Sequence, residues 1–506
     1  MRDLKIKLIN LAERIFDRLS NQRDQSFFIR ILRKCIRIHP YLYFLYQYRK
    51  GNIIKALHAS QKFRVRTDQQ QKIIDRIREM ENILDHGWPV IQPKSLSSQP
   101  YKNKILFALH NSLPWDGAGY AIRSQQIIRH LKNHGLNIIA VTRPGYPWDL
   151  NQHRNKPGAD HDLVDGVRYT RLHGQGLSLG ALDSQYIKGY SDMLSLLATE
   201  NNIRTIHAHS NYLNGLAATR AAHKSGCMGI YETRGLWHMS RAVMEPGFEN
   251  TDLYDYCRIM EIAAARQAHK VIAISEALKS YLADNDVDNS RINVVPNAVD
   301  TDFFSPVSRD SKLISALGLQ NRIVVGFIGS LTGYEGVDLI IKAVSRLVVQ
   351  GLNISLIIVG SGYAENELKM IADSSPGRRH IHFIGRIPFE QVKQYYALMD
   401  ILPFPRKNFP VCRLVPPLKI LEAMAMEKAV IVSDLEPLRE IVYHEDTGLV
   451  CQNDSLGSLT KAIKTLAESD RLRYKLSASA INWVRRERSW AKVSRKYLEV
   501  YGMSDE

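Results

Sequence analysis

The segment Pro416-Pro417-Leu-Lys419-Ile-Leu-Glu422 places a cation and a carboxylate where they could bind a nucleotide. Proline is favoured at the start of helices, so a helix is predicted to begin here, with Lys419 and Glu422 on one face. Its amino terminus and Lys419 could hold a diphosphate, while Glu422 could accept hydrogen bonds from ribose hydroxyls. The alternative interpretation is a surface Lys–Glu pair of little energetic weight.

Three glycine segments stand where predicted strands turn into helices. Gly117-Ala-Gly119 follows the first apolar run of the central region, Gly329-Ser330 follows a later one, and Gly360-Ser-Gly362 repeats the pattern. Glycine lets backbone N–H groups approach a phosphate or a sugar, although a tight turn would need the same residues. Gly117 and Gly119 are not followed by the third glycine of a dinucleotide fingerprint, and the Gly329 segment lacks the Gly-Lys-Ser/Thr ending of a P-loop, which disfavours nucleoside triphosphate hydrolysis.

Residues with metal-ligand chemistry are present but incomplete as sites. His207 and His209 alternate at a predicted strand end, and the sequence indicates no third zinc ligand beside them, so packing and a role at a cleft edge are predicted. The acidic segment 284–288 lacks the glycine and terminal glutamate of a calcium loop, and both this segment and 300–302 precede or follow turns. They are predicted to be turn and capping residues, and no metal is expected.

The elements that must position these residues follow a regular alternation. Short apolar runs alternate with helical periodicities from Ile105 onward, and the alternation starts afresh at Ile323. Strands separated by helices imply a parallel sheet covered on both faces. The predicted fold class is therefore α/β, with two tandem doubly wound Rossmann-like domains whose ligands bind at the carboxyl ends of the strands.

Domain boundaries follow from composition. A Pro- and Ser-rich stretch from Trp88 to Pro100 predicts a linker between an amino-terminal extension and the two domains. We expect a helical extension over residues 1–95, a first Rossmann-like domain over 96–305 and a second over 306–487. A last helix within 488–506 is expected to pack back on the first domain.

The positive charge is concentrated in that extension. The chain of 506 residues has 68 Lys and Arg against 51 Asp and Glu, a net of +17. Residues 1–66 contain 16 basic and four acidic side chains, which gives 16 − 4 = +12. Apolar residues at helical spacing accompany this charge, so the segment could bind an anionic membrane surface or a protein partner, or pack on its own body. No nucleic-acid module is recognisable, and nucleic acid is not expected as a partner.

Cysteine usage and hydropathy favour a reducing compartment. The five cysteines lie far apart without a C-x-x-C pair, no apolar run is long enough to span a bilayer, and charges interrupt the amino terminus. A cytoplasmic protein, peripheral on the inner face of the membrane if the extension binds lipid, is therefore expected.

The motifs together resemble a known family. They are Gly117-Ala-Gly119, Val294-Val-Pro-Asn297-Ala-Val-Asp300, Gly329-Ser330 with Tyr334-Glu-Gly-Val-Asp338, Val359-Gly-Ser-Gly362, Phe383-Ile-Gly-Arg386, and Glu422-Ala-Met-Ala followed by Pro437-Leu-Arg-Glu440. In this order they resemble the retaining glycosyltransferases of GT-B fold, family 4-like (group 1), over residues 103–506. Ile230-Tyr-Glu232-Thr-Arg234-Gly-Leu-Trp237 is similar to segments of the bacterial surface-polysaccharide branch.

The resemblance implies roles for particular residues. A nucleotide sugar, UDP- or GDP-linked, would be held mainly by the second domain and the acceptor by the first. The implied donor-binding residues are Gly117, Gly119, Ser330, Gly362, Arg406, Arg413, Lys419 and Glu422. Glu232 and Arg234 would position the acceptor or the sugar and, with Lys419 and Glu422, form the catalytic set. His209 and Asn211 would lie on the acceptor side.

Three positions depart from the family pattern. Leu414 stands where the first glutamate of the family's E-x7-E motif would fall, and Ser330 and Glu335 replace its usual basic pair. Glu232 takes the place of a histidine. A transient nucleophile is the alternative role for Glu232, although no second carboxylate is evidently paired with it.

The predicted function is transfer of a sugar, with retention, from a nucleotide sugar to a saccharide or lipid-linked acceptor in bacterial surface polysaccharide or glycolipid synthesis. Two alternatives remain open. One is a nucleotide-sugar epimerase of the same fold. The other is an inert sugar-nucleotide-binding or assembly subunit, which the departures at Leu414 and Glu335 keep in play.

Overall fold

The computed structural model describes residues 39–65, 67–92, 103–117, 119–154, 156, 158–174, 177, 179 and 182–503. The predicted basic helices within residues 1–38 lie outside the described residues. The chain divides into two compact units. The smaller ends at His86 and also includes Asn250–Tyr256, and the larger comprises Gly87–Glu249 and Cys257–Glu506.

Three helices make up most of the described small unit: α1 (Pro40–Arg49), α2 (Ile53–Ser60) and α3 (Asp68–His86). The rings of Tyr41, Phe44 and Phe63 pack against one another with centroids 5.2–6.0 Å apart. Gly51 forms the turn between α1 and α2 with φ +80, a conformation that suits glycine. This unit therefore has an aromatic core of its own.

The first sheet of the large unit has eight strands in the order β3-β4-β2-β1-β5-β6-β7-β8. The strands are β1 (Lys104–Leu109), β2 (Asn137–Thr142), β3 (His161–Val164), β4 (Val167–Arg171), β5 (Thr205–His209), β6 (Met228–Thr233), β7 (Lys270–Ala273) and β8 (Ile292–Val294). All pairings are parallel except β3 with β4. Every residue of β5 and β6 is buried, which explains why these strands read as continuous runs instead of alternating ones.

Helices connect these strands: α4 (Gly119–Asn133), α5 (Asp183–Glu200), α6 (Tyr212–Ser225), α7 (Trp237–Met244), α8 (Asp252–Arg266) and α9 (Glu276–Asp284). α4 directly follows the glycine segment after β1. The topology therefore brings this helix to the carboxyl edge of the sheet, where ligands bind in such folds.

The second sheet has six parallel strands in the order β11-β10-β9-β12-β13-β14. They are β9 (Ile323–Ile328), β10 (Ile354–Val359), β11 (Ile381–Gly385), β12 (Ile401–Phe404), β13 (Ala429–Ser433) and β14 (Leu449–Cys451). Its helices are α10 (Ser311–Ala316), α11 (Val337–Val349), α12 (Glu365–Asp373), α13 (Val392–Leu398), α14 (Leu418–Ala425), α15 (Glu436–Arg439), α16 (Leu456–Ala467) and α17 (Asp470–Glu487). Two tandem Rossmann-like domains are thus confirmed.

The last helix, α18 (Trp490–Tyr501), returns to the first domain. Trp490, Val493, Tyr497 and Tyr501 belong to the same buried cluster as Phe107 of β1. Among the described residues, no helix combines the length and apolar character that crossing a bilayer requires.

Candidate functional site

Two helix amino termini, one from each Rossmann-like domain, lie close together. α4 begins at Gly119 and α14 begins at Leu418. A Cβ atom added to Gly119 would lie 3.4 Å from Leu418 Cδ1. Because each helix start carries free N–H groups and partial positive charge, their proximity creates an environment for an anion. The glycine segment and the helix that begins after Pro417 are far apart in the sequence, but they therefore form parts of one candidate anion site.

A carboxylate and two cations form a buried cluster beside this place. Lys419 Nζ lies 2.6 Å from Glu335 Oε2, and Arg406 Nε lies 3.7 Å from the same oxygen. Burial alone would raise the pKa of Glu335, but Lys419 and Arg406 outweigh burial and lower it. Burial lowers the pKa of Lys419, with Glu335 opposing that effect. The cluster of three charges has a net charge of one positive unit when all are ionised.

The glycine loops of the second domain pack around this cluster. Gly329, with φ +147, leaves room for Lys419, whose Nζ would be 3.3 Å from a Cβ atom there. A Cβ atom at Gly360 would lie 1.9 Å from the Gly329 carbonyl oxygen, and one at Gly362 would lie 2.3 Å from that of Leu331. These two positions require glycine for close packing of the loops. Ser330 is exposed at the same edge.

Glu422 lies one turn into α14 at the edge of a cavity of about 270 Å³. Its Oε2 accepts a hydrogen bond of 2.9 Å from the Tyr396 hydroxyl. Burial raises the pKa of Glu422, and the Tyr396 hydrogen bond and Lys419 oppose this. Gln126 of α4 and Phe303, which precedes the second domain, line the same cavity. The carboxylate is thus placed where a ligand in the interdomain space could reach it.

Arg413 and Leu414 do not join the cation cluster. The exposed Arg413 donates from Nε to Asn408 Oδ1 at 2.6 Å. At the position of the missing family glutamate, the Leu414 backbone carbonyl accepts a hydrogen bond of 2.6 Å from Ser275 Oγ. Ser275 belongs to the first domain, so this position contributes to the contact between the domains.

Glu232 lies in a fully buried network in the first domain. Its Oε1 accepts from Arg123 Nε at 3.0 Å and Arg234 Nε at 2.8 Å, and its Oε2 accepts from the Tyr497 hydroxyl at 3.1 Å. Burial would raise the pKa of Glu232, but Arg234 and Arg123, together with His207, hold it well below its usual range. With both oxygens engaged and no exposure, this position does not favour the nucleophile alternative.

Arg234 connects this network to the start of α4. Its Nη1 donates to the Tyr120 carbonyl at 3.2 Å and to Ser124 Oγ at 2.7 Å, and its Nη2 lies 3.0 Å from His209 Nε2. Tyr120 is in the first turn of α4, directly after Gly119. Glu232 therefore orients Arg234, and Arg234 in turn holds the helix end that faces Leu418.

His209 and Asn211 are likewise engaged within the protein. His209 is buried between Ser124 and Arg234, and Asn211 caps α6 by accepting from the Leu213 backbone N–H at 3.3 Å. Neither side chain is more than 4% exposed. The reaction roles of Glu232, Arg234, His209 and Asn211 stay predictions, and their burial favours positioning over direct contact with an acceptor.

His207, His209 and Glu232 place ligand atoms within 4.8 Å of one another, a metal-like arrangement. Two guanidinium groups contact the same carboxylate, however, and they would repel a metal cation. The histidine pair is therefore better described as part of the packed network.

The two acidic segments make the predicted turn and cap contacts. Asp288 accepts from the Ser290 backbone N–H at 3.0 Å, and Asp300 accepts from those of Asp302 and Phe303 at 3.1 and 3.0 Å. The prediction that these aspartates act in turns and caps is confirmed.

Sequence reasoning missed Arg123, Tyr497 and Tyr396, which complete these networks. Arg123 donates to Glu232, to the backbone carbonyls of residues 295 and 296, and to Asn297 Oδ1. The available signal was a basic residue within a helix that directly follows a glycine segment. Tyr497 and Tyr501, four residues apart, were the corresponding signal in the last helix.

Two family models match the large unit in tandem. The model for Glycosyltransferase Family 4 matches residues 117–303, and that for Glycosyl transferases group 1 matches residues 311–483. The first match covers the domain that contains Glu232, and the second covers the domain that contains Lys419 and Glu422.

Individual proteins are similar at low identity. An uncharacterized glycosyltransferase of Methanocaldococcus jannaschii is 26% identical over 51% of this chain and 64% of its own length. Alpha-maltose-1-phosphate synthase of Mycolicibacterium smegmatis is 25% identical over 62% of this chain and 84% of its own length. The crystal structure of Anabaena HepE in complex with UDP matches with a TM-score of 0.60 and 19% identity, covering 79% of this chain and 99% of that one. This last likeness establishes the GT-B fold.

Proposed function

This chain is a family 4-like glycosyltransferase of the GT-B fold, and from that premise we propose that it transfers a sugar, with retention, from a UDP- or GDP-sugar. The acceptor is a saccharide or a lipid-linked saccharide of bacterial surface polysaccharide or glycolipid synthesis. HepE, a structural neighbour solved with UDP, supports a nucleotide-sugar donor. Relatives named as mannosyltransferases of phosphatidyl-myo-inositol and of lipopolysaccharide core support a lipid-linked acceptor.

The observation that carries this proposal is the meeting of α4 and α14 beside Lys419. A diphosphate at Gly119 and Leu418 would receive hydrogen bonds from two helix starts, and Lys419 and Arg406 would balance its charge. The ribose would then lie toward Glu422, one turn further along α14. The nucleotide is held by charge and backbone N–H groups that the fold has already positioned.

These same groups stabilise the leaving diphosphate during transfer. The bond from the anomeric carbon to the diphosphate oxygen breaks, and the acceptor oxygen bonds to that carbon on the same face of the sugar. The acceptor proton passes to the departing diphosphate. Negative charge increases on the diphosphate in this step, so preorganised cations and helix starts lower the barrier. Because side chains supply this positive charge, we propose that the reaction needs no metal.

A donor screen tests the proposal. The full-length protein is heated with UDP, GDP, ADP and the corresponding sugar nucleotides, and its unfolding temperature is recorded. A ligand at 100 times its dissociation constant stabilises the folded state by about 2.7 kcal/mol. Release of nucleoside diphosphate is then followed with and without a crude lipid-linked acceptor, in the presence and absence of EDTA. Acceptor-dependent release that EDTA leaves unchanged is the expected result.

The alternatives give different results in the same experiment. An epimerase consumes the donor without an acceptor. An inert binding subunit is stabilised by a nucleotide but releases no diphosphate with any donor. Glu335 is the feature that favours the inert alternative, because its carboxylate already forms an ion pair with the Lys419 ammonium group that the diphosphate would need.

A further inference from the structure

Trp237 is exposed in a fold that buries other tryptophans. It begins α7 and remains 49% exposed, whereas Trp483 and Trp490 are 9% and 3% exposed. Its indole N–H makes no hydrogen bond to any residue that the structure describes. Tryptophan has a large apolar face and a polar N–H, so half-exposure leaves both available to a ligand.

His110 lies edge-on to this indole. The two ring centroids are 4.7 Å apart and the rings are inclined at 85°. Burial, with a contribution from Arg143, holds the pKa of His110 well below its usual range, so the ring is neutral at pH 7. Within the described part of the chain, its buried Nδ1 has no hydrogen-bond partner. A buried polar atom without a partner is uncommon and is a reason to look for a ligand.

Both residues belong to the first domain but stand at the interdomain space. His110 directly follows β1, and Trp237 follows β6 after a short loop, so both lie at the carboxyl edge of the sheet. The helix that Trp237 begins, α7, lies against the turns Gly333–Glu335 and Pro410–Arg413 of the second domain. Glu335, the partner of Lys419, belongs to the first of these turns.

We propose that Trp237 and His110 form a binding subsite for a pyranose ring of the acceptor saccharide. The C–H face of the sugar packs on the indole face and a sugar hydroxyl bonds to the indole N–H, while the His110 ring, whose Nδ1 is buried, packs against the indole and orients it. The subsite is assigned to the acceptor because the groups that would hold the nucleotide, Lys419 and Glu422, are in the second domain. This inference rests on the proposed function and deepens it.

Saturation-transfer difference NMR on the full-length protein tests the subsite directly. The probes are methyl α-D-glucopyranoside, methyl α-D-mannopyranoside and methyl β-D-galactopyranoside, each with saturating UDP or GDP. We expect at least one of them to show contact through the C–H protons of one ring face. Trp237→Ala should weaken that probe's binding about tenfold, because it removes the aromatic face. Trp237→Phe keeps an aromatic ring but loses the N–H, so its affinity for the probe should lie between those of the wild type and Trp237→Ala.

Tyr474→Ala is the matched control, since Tyr474 is 72% exposed on α17 and lies outside this space. It should leave the probe signals unchanged. Equal signals from wild type and Trp237→Ala, or no signal from any pyranoside with the wild type, would overturn the subsite. Nucleotide stabilisation is measured on the same samples. If no nucleotide stabilises the wild type, the proposed function is contradicted. If nucleotides stabilise it but Trp237→Ala leaves the pyranoside signal unchanged, only the subsite is contradicted.

Discussion

Lys419 and Glu335 form an ion pair of 2.6 Å at the place where the proposed donor diphosphate would bind. Glu335 stands where the resemblance leads one to expect a basic residue, and Lys419 comes from a different element, α14. The positive charge needed for a diphosphate is therefore present, but an internal carboxylate already contacts it. An incoming diphosphate and Glu335 compete for the same ammonium group.

Replacing this carboxylate should strengthen nucleotide binding. We expect Glu335→Gln to bind UDP or GDP about tenfold more tightly, or about 1.4 kcal/mol, because Lys419 and Arg406 lose a competing anion. Isothermal titration calorimetry at low ionic strength measures the change. Glu365→Gln, which breaks the more exposed pair with Lys369, is the matched control and should have no effect. Weaker binding by Glu335→Gln would instead mean that Glu335 orients Lys419.

Removing the ammonium group should slow transfer. We expect Lys419→Ala to lower kcat by about 100-fold, the usual cost of losing one group that stabilises developing negative charge. Steady-state kinetics with the donor identified in the screen measures this. Lys464→Ala, which removes an ammonium from a surface pair on α16, serves as the control. Turnover within a factor of two of the wild type in Lys419→Ala would remove Lys419 from the site.

Glu422 is predicted to bind the ribose, and this can be separated from a general loss of function. Glu422→Ala should raise the donor KM by roughly tenfold, as expected for a lost hydrogen bond to a charged group. A donor with 2′-deoxy- or 3′-deoxyribose should lose a similar amount with the wild type. If Glu422 contacts the missing hydroxyl, the loss caused by Glu422→Ala and the loss caused by the deoxyribose will not add. The variant will then have the same KM for the normal donor and for the deoxy donor. Fully additive losses would place Glu422 elsewhere.

The network around Glu232 should make stability depend on pH. The pKa of Glu232 is depressed in the folded state, so its stabilising contribution is complete above the unfolded pKa of about 4.3 and is lost as pH falls toward the folded pKa. His207 and His209, whose pKa values burial lowers, stay neutral when folded and are protonated when unfolded below about pH 6.5. Both effects destabilise the protein in acid.

We therefore expect Glu232→Gln to cost about 3–5 kcal/mol at pH 7, since it leaves Arg123 and Arg234 without their buried counterion. The stability of the variant should also fall less between pH 5 and 3 than that of the wild type. The variant lacks the carboxylate whose depressed pKa makes the wild type lose stability in this range. Urea unfolding over this pH range measures both quantities. Glu468→Gln in a surface pair should change stability by no more than about 0.5 kcal/mol. Parallel pH profiles for Glu232→Gln and wild type would contradict the assignment.

Membrane attachment can be tested by deleting residues 1–38 instead of the whole charged segment 1–66. Residues 1–66 have a net charge of 16 − 4 = +12, but α1 and α2 within that segment form a packed unit with Phe63. Deleting residues 1–38 removes ten of the basic residues and leaves those helices intact. We expect this variant to lose sedimentation with anionic vesicles and to retain nucleotide binding. Unchanged sedimentation would favour packing or a protein partner.

The fold followed from local patterns in the sequence. Strands such as β9 and β13 are short Val- and Ile-rich runs buried on both faces, and these runs separate cleanly from the longer helical periodicities. Gly119 and Lys419 could be proposed as candidate site residues because their local signals, a glycine before one helix and a proline before another, lie within a few residues of sequence.

The buried networks could not be predicted in this way. Glu232 meets Arg123 across 109 positions and Tyr497 across 265, so no local window contains the group. Burial also changes what a residue does. The sequence suggests ligand contacts for Glu232 and His209, but in the folded protein both are buried and both contact Arg234. The pairing of Glu335 with Lys419 likewise depends on how a turn and a helix of the second domain meet.

The return of α18 to the first domain has a consequence for biosynthesis. Tyr497 and Tyr501 bond to Glu232 and His207, yet they are synthesised only after the whole second domain. Until they emerge, the nascent first domain has to hold Glu232 and His207 without two of their hydroxyl partners. Its folding is therefore completed only after the second domain has been synthesised, although its strands are made first.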